Sequence, residues 1–531
     1  MSGRRGDRSY SPRVVVIGAG IGGLTASALL AHRGYSVLVL DQAIVPGGCA
    51  STFKRQGFTF DVGATQVAGL EPGGIHHRIF SELEIDLPTA THCDPACAVY
   101  LPGETEPISV WRDPQRWQAE RQRQFPGSEP FWQLLSDLFR YSWAFQARDP
   151  VLPPRNLWDL WQLTKAVRPD TLLTLPHMFS TVGNALRGYG LADNQRLRTF
   201  LDLQLKLYSQ VEAEETALLY AATALGVSQE PQGLFHLHGS MQALSDRLVA
   251  ALKRDGGKLL MRHTVEAIHT DRGKVTGVAI RNQKTDEVWT EPADHVVANV
   301  TVQNLMQLLG DQAPNLYQQR VDKLPPSSGA FVVYLGVDER AIPKDCPPHL
   351  QFLYDYEGAI AENNSLFVSV SRPGDGRAPA GKATIIASSF TDVELWSGEW
   401  GVENGEWGVE SQQQLKTQNS KLKTQNFYKA LKQRYTEEAI AHLAQFFNLT
   451  EETILHVEAA TPRTFAHFTG RDRGAVGGIG QRVPTFGPFG FANRTPIRNL
   501  WLVGDSTHPG EGTAGVSYSA LTAVRQIEAG W

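Results

Sequence analysis

Val14-Val-Val-Ile-Gly18-Ala-Gly20-Ile-Gly-Gly23-Leu-Thr-Ala26 leads, one helix-length later, to a second apolar run, Val37-Leu-Val-Leu40, that closes on the carboxylate of Asp41. Strand, glycine turn, helix and strand in that order make a dinucleotide-binding βαβ unit. Gly18 lets the chain leave a buried strand in a tight turn, Gly20 lets the backbone approach a diphosphate, and Gly23 lets the helix pack against the sheet. The diphosphate then lies on the helix N-terminus, where free N–H groups and the helix dipole favour negative charge. Asp41, about 20 residues past the first strand, is placed to bind ribose hydroxyls. It would repel a 2′-phosphate, which argues against NADP.

Two further segments point to a flavin rather than a nicotinamide. Pro46-Gly47-Gly48-Cys49-Ala50-Ser51-Thr52 runs on towards Phe58-Thr-Phe-Asp61-Val-Gly63-Ala64, and its paired glycines can expose backbone N–H groups to a cofactor. Near the other end, the apolar Leu500-Trp-Leu-Val503 enters Gly504-Asp505, and the loop Pro509-Gly-Glu-Gly512-Thr-Ala-Gly515 opens a final helix expected from Val516 to Glu528. A helix starting there aims its positive end at the negative charge that reduced flavin carries around N1 and the C2 carbonyl.

The 531 residues exceed one typical domain and can bury a large core. A net charge of -5, with no basic cluster beyond Arg4, Arg5, Arg8 and Arg13, argues against nucleic acid. Those arginines precede the first strand and read as a frayed terminus. Cys49, Cys93, Cys97 and Cys346 form no CxxC pair, so neither a metal site nor a disulfide scaffold is expected, and reduced cytoplasmic thiols are. No apolar run approaches the roughly 18 residues of a spanning helix, and the N-terminus lacks the apolar core of a signal peptide. The expectation is a chain that neither spans a membrane nor is secreted.

The nucleotide-binding parts are discontinuous. A disordered terminus, 1–12, is followed by a first cofactor-domain segment, 13–85. Residues 86–235, rich in Trp, Leu and Pro, form the first part of a substrate domain. Residues 236–300 return to α/β character, with a helix from Gly239, strands at Lys258–Arg262 and Val265–Ile268, a hairpin at Gly273–Gly277, and a buried strand at His295–Val300. A second excursion, 301–455, adds strands such as Gly329–Leu335, and 456–531 complete the cofactor domain. Two excursions from one nucleotide-binding core imply a cleft between two domains.

Within the second excursion, Gly398-Glu-Trp-Gly-Val-Glu403 recurs at 405–410 and Leu415-Lys-Thr-Gln-Asn419 at 422–426. Two copies cannot bury a heptad seam, so 397–426 reads as a flexible surface insertion without a catalytic role. In the first excursion, Asn156 caps a helix whose third position is Asp159 and which Pro169 ends. Leu157, Trp158, Leu160, Trp161 and Val167 supply apolar surface; Asp159, Gln162, Lys165 and Arg168 supply a polar stripe. The ordinary expectation is a helix packed on the core by its apolar side. The alternative is that its tryptophans dock in a lipid interface.

These motifs together resemble the flavin-dependent carotenoid desaturases and carotenoid isomerases, a branch of the flavin amine oxidase group. The likeness rests on Gly18-Ala-Gly-Ile-Gly-Gly23, Pro46-Gly-Gly-Cys49, Phe60-Asp-Val-Gly-Ala64, and Gly504-Asp505 with Pro509-Gly-x-Gly512-x-x-Gly515-Val516, and covers all but the first dozen residues and the repeats. Phe58–His77 and Trp111-Arg-Asp-Pro114 resemble most the members that introduce the 3′,4′ double bond. The resemblance implies FAD, a discontinuous Rossmann-type domain of the glutathione reductase kind, a mixed α+β substrate domain and a long polyene substrate such as 1′-hydroxy-γ-carotene. It also implies a peripheral position on the cytoplasmic side of a membrane. A quinone or oxygen is the expected electron acceptor. By motif position, Gly18, Gly20, Gly23 and Asp41 bind the ADP half, Gly47, Gly48 and Gly63 line the rest, Val265 lies by the adenine, and Gly504, Asp505 and Val516 meet the ribityl and isoalloxazine parts. The family more often has Glu where this chain has Asp41.

Desaturation moves a hydride from an allylic carbon to flavin N5 and a proton from the neighbouring carbon. It needs an apolar tunnel that aligns one C–H bond, with at most a modest base. Polar candidates are Glu71, His76, His77 and Arg463, each with a bland structural role as the ordinary alternative, so no catalytic base is assigned from the sequence. A cis-trans isomerase using reduced flavin is the second reading. A polar-amine oxidase is disfavoured by the lack of an evident aromatic cage. A non-enzymatic escort of isoprenoid lipids would not need the intact loop Gly504–Val516.

Overall fold

The computed structural model describes residues 11–397, 401–403, 406–408 and 418–530, with side chains described for 11–397 and 425–530. Its organising element is a parallel sheet of five strands, in the order Leu500–Leu502, His295–Ala298, Arg13–Ile17, Ser36–Asp41 and Lys258–Met261. The apolar runs read from sequence are continuous rather than alternating because both sheet faces are covered. Val14, Val16, Val37 and Val39 pack against helices Ile21–His32, Gln242–Arg254 and Thr513–Glu528. Val15, Ile17 and Leu40 face the other way, onto Val265, Ile268 and Ile280 of an antiparallel three-stranded sheet and onto Leu305 of helix Val302–Leu309. Helix Ile21–His32 is buried from Ile21 to Ala31, which its small residues make possible. Gly23 sets that approach, since a Cβ there would stand 2.0 Å from the Gly18 carbonyl oxygen.

The second layer is a seven-stranded sheet, ordered Ile454–Ala460, Ser328–Asp338, Lys382–Asp392, Ser365–Val370, His349–Leu353, Cys97–Tyr100 and Ile108–Val110. Strand Ser328–Asp338 alternates cleanly. Phe331, Val333, Leu335 and Val337 share a core with Leu431, Tyr435, Ala439 and Leu443 of helix Gln418–Leu443, whereas Val332 and Tyr334 turn to Phe58 and Phe60. Helices Pro114–Gln124, Glu129–Gln146, Gln195–Ser209 and Leu218–Gly226 pack around Trp117, Phe125, Trp132 and Phe200. In the repeat segment, Gly401–Glu403 pairs antiparallel with Glu406–Gly408, and the second LKTQN copy, 422–426, lies within the long helix. The rest of the repeats, at 398–400, 404–405 and 409–417, and the terminus at 1–10 lie outside the described residues.

Three expectations need correction. Arg13, expected in a frayed terminus ahead of the first strand, is the first residue of that strand, opposite Ser36, and its backbone N–H donates to Asp294 Oδ2 at 2.8 Å. The last helix begins at Thr513, three residues before Val516, because Gly512, at φ +85°, turns the chain into it. The helix capped by Asn156 runs Leu157–Ala166, with its cap bond to Asp159 N in place at 2.8 Å, but it is turned the opposite way from a core-packed amphipathic helix. Asp159 is fully buried, and its carboxylate accepts from Arg155 N at 3.0 Å, Gln526 Nε2 at 2.9 Å and Arg494 Nε at 3.3 Å. Leu157 (79% exposed) and Trp161 (59%) face solvent. A charge that is buried needs its partners more than an apolar side chain needs cover, and Asp159 therefore fixes the rotation. The helix stops at Ala166 because Pro169 opens a separate turn, Pro169–Leu172, and disfavours helical backbone just before it.

Candidate active site

One cavity of about 1190 Å³ lies between the two layers. Part of its wall is backbone: Gly18, Gly20, Gly22, Gly47, Gly48, Gly63 and Gly504. The sequence brings these together from three distant stretches because strands Arg13–Ile17, His295–Ala298 and Leu500–Leu502 are sheet neighbours whose C-terminal ends open on the same side. Asn299, just past the central of these strands, sits under the junction. A Cβ on Gly20 would come within 2.8 Å of its Nδ2, one on Gly22 within 2.7 Å of its Oδ1, and one on Gly504 within 3.0 Å of its Oδ1.

The floor fits a dinucleotide. It is bare of side chains, and helix Ile21–His32 begins at Gly20 with no side-chain cap, leaving its first N–H groups for an anion. Asp41 lines the same cavity. Its two oxygens accept from Ala19 N at 2.6 Å and Ala43 N at 2.7 Å, and burial nevertheless pushes its carboxyl above the usual range. Beside the first glycine loop, with the Val516 carbonyl 3.3 Å from where a Cβ on Gly22 would stand, Gly512 to Val516 present the uncapped N-terminus of the last helix. Asp505 pairs with Arg471 at 2.8 Å, and Arg471 also donates to the carbonyls of Ala475 and Gly477. Burial keeps the thiol of Cys49, in the same wall, protonated beyond its ordinary range.

Every residue assigned to the cofactor from sequence lines this cavity except Gly23, which packs behind Gly18. Val265 enters it from strand His263–Asp271 beside Glu266. The polar candidates are elsewhere: none of Glu71, His76, His77 or Arg463 belongs to the wall. His76 is 1% exposed, Glu71 is buried, Gly73 N donates to His77 Nδ1 at 3.5 Å, and Arg463 stacks over Tyr428 at 4.6 Å. Reasoning from sequence missed Asn299, Arg471, Glu511 and the pair Gln146–His508, whose nitrogens are 3.0 Å apart. Asn299 carried a signal, a polar residue at the C-terminal end of a buried parallel strand. Arg471 lies in a loop with no pattern.

The remaining wall is largely apolar. Trp143, Phe145, Leu207, Leu219, Ala224 and Phe390 contribute, as does Val332 from the second sheet. Val167 and Leu175 belong both to the wall and to the molecular surface, where they are 37% and 49% exposed. In the same stretch of chain Leu157, Leu160, Trp161, Leu172, Leu173 and Phe179 are also exposed. No helix of the described residues is long and apolar enough to cross a membrane.

The sequence profile of the flavin-containing amine oxidoreductases matches residues 21–400. Prolycopene isomerase 1 of an Oncidium hybrid cultivar is 26% identical over 97% of this chain and 83% of its own. The zeta-carotene-forming phytoene desaturase of Myxococcus xanthus is 26% identical over 97% of this chain and 93% of its own. Among solved structures, cyclohexylamine oxidase from Brevibacterium oxydans superposes with a TM-score of 0.57 at 17% identity, covering 98% of this chain and 100% of the other. A putrescine oxidase variant gives 0.62 at 14%, covering 98% and 99%. The solved structures share the fold.

Proposed function

Because this chain belongs to the flavin-containing amine oxidoreductase family and is an FAD-dependent oxidoreductase with desaturase and isomerase relatives, we propose that it is a carotenoid desaturase acting at the 3′,4′ position of a 1′-hydroxy-γ-carotene type substrate. The observation that carries this reading is the apolar cavity, which continues from the glycine floor to the exposed rim at Val167 and Leu175. A long polyene has no charge to recognise, so shape and dryness must align it.

In this reading Gly18, Gly20 and Asp41 hold the ADP half of FAD, with Gly23 setting the helix behind them; Gly47, Gly48 and Gly63 line the middle. Val265 lies by the adenine, and Gly504, Asp505 and Val516 meet the ribityl and ring portions. Bound FAD supplies the two-electron acceptor for an allylic hydride. The protein orients the C–H bond, excludes water and, through the N-terminus of helix Thr513–Glu528, favours negative charge on the reduced ring. Electrons leave to a quinone or oxygen. The exposed apolar rim supports a peripheral position on a membrane, from which the insoluble substrate enters, and the cytoplasmic face is the proposed side.

Isomerisation is the second reading, favoured by a prolycopene isomerase at the same 26% identity as the phytoene desaturase. FAD-loaded protein in liposomes, given 1′-hydroxy-γ-carotene and a quinone, should yield a product two hydrogens lighter with a red-shifted spectrum. Conversion only of a poly-cis lycopene, at constant mass and under reducing conditions, would replace desaturation by isomerisation. Tight carotenoid binding with no conversion of either would favour a lipid escort.

A further inference from the structure

Among the described residues four carboxylates line the cavity: Asp41, Glu266, Asp505 and Glu511. Three are engaged. Asp41 accepts two backbone N–H bonds, Glu266 pairs with Arg281 at 2.5 Å, and Asp505 pairs with Arg471. Glu511 differs. Its Oε2 accepts from Gln210 Nε2 at 2.9 Å and the Gly478 N–H also faces the carboxylate, while its Oε1 is buried and makes no well-formed hydrogen bond among the described residues.

The surroundings hold this side chain in place. Gln210 ends helix Gln195–Ser209 in a left-handed conformation, φ 65°, which brings its amide to the carboxylate. Gly477, at φ +68°, leaves the space that both side chains occupy: a Cβ there would stand 2.4 Å from Glu511 Oε2 and 2.3 Å from Gln210 Nε2. The hydroxyl of Tyr220 donates to the Tyr208 carbonyl, so it leaves Glu511 Oε1 unmet. The loop that carries Glu511 leads directly into Gly512–Val516, the part of the wall assigned above to the flavin ring.

Resting on the desaturase reading of this cavity, we propose that Glu511 is the catalytic base, taking the proton from the carbon next to the one that gives up hydride. One C–H bond breaks with its electron pair leaving to the flavin. The neighbouring C–H bond breaks, its pair becoming the second bond of the new alkene, and its proton goes to Glu511 Oε1. The substrate loses two electrons, the flavin gains them, and a quinone-class acceptor removes them. The proton leaves Glu511 for solvent before the next turnover.

The charged and titratable groups around Glu511 are Asp505, Arg471 and Tyr220. Burial first, and then the charge of Asp505, push the Glu511 carboxyl up to about 8; the Gln210 amide, the Gly478 N–H and Arg471 pull the other way. Since only the carboxylate can accept, proton removal should quicken as pH rises through about 8.

The test uses FAD-loaded wild type, Glu511→Gln and Glu511→Asp in liposomes containing 1′-hydroxy-γ-carotene, with anaerobic flavin bleaching followed against pH. Gln should keep FAD and bound carotenoid, lose about 100-fold or more in bleaching rate, and lose the limb near 8; Asp should keep a displaced limb. A Gln variant with the wild-type rate and limb overturns the proposal. If wild-type protein converts no carotenoid, the desaturase reading fails by itself. Infrared difference spectra of wild type against Glu511→Gln then judge the residue: a carboxyl titrating near 8 supports its acid–base role, and none there overturns it.

Discussion

A side chain at position 20 would meet Asn299 Nδ2 at 2.8 Å and lie across the floor of the cavity. Gly20→Val should therefore remove FAD while leaving a folded sheet, read as flavin absorbance per protein after desalting; full occupancy in the variant would refute the assignment of this floor. His76 makes a prediction about stability. Burial holds it down to about 4, from 6.5 when exposed, and does the same to His508. Between those values the unfolded chain binds protons that the fold excludes, so stability rises with pH across the window and is lost as pH falls through it. For each histidine the loss is about 3 kcal/mol once pH is below 4. Urea unfolding between neutral pH and 4 measures it, and His76→Gln should lessen the slope; an unchanged slope would place the acid sensitivity elsewhere. The glycines and Asp41 were legible because each answers a backbone demand that shows in spacing. Glu511 was visible inside a quoted motif, but its significance depends on Gln210 and Gly477, far away in sequence, so spacing alone could not show it.

At the level of elements, helix Leu157–Ala166 inverts the usual arrangement. Its buried Asp159 is an anchor, so Asp159→Ala should destabilise the fold by about 3 kcal/mol, by stripping partners from Arg494 and Gln526. Its outer face, exposed at Leu157 and Trp161, should be dispensable for folding. Leu157→Glu with Trp161→Glu should fold, keep FAD and sediment less with liposomes; unchanged sedimentation would eliminate a lipid-docking role for this helix. Trp158, half-buried, is the poorer choice. Periodicity located the helix and its cap, because the Asn156–Asp159 bond is local. It could not say which side faces inward, since that was decided by Arg494 and Gln526, more than three hundred residues later. The five parallel strands were likewise readable as apolar runs, as was the chain's return to one nucleotide-binding core, but the order of the strands is set by contacts between segments hundreds of residues apart.

For the whole molecule, the apolar wall predicts a separation between cofactor and substrate. Ala224→Trp, in the wall but on helix Leu218–Gly226 rather than the glycine floor, should abolish turnover of a long polyene at unchanged flavin occupancy; retained turnover would show that the polyene does not pass there. The order of the central sheet bears on how the protein is made. Arg13–Ile17 is near one end of the chain, Leu500–Leu502 near the other, and Gly504–Val516 comes after both. During synthesis the ribosome will have delivered the first glycine loop and most of the apolar wall before the edge strand exists. Flavin loading therefore needs both the first glycine loop and the segment from Leu500 to Val516, and a chain cut short before residue 500 would be left without cofactor and prone to aggregate.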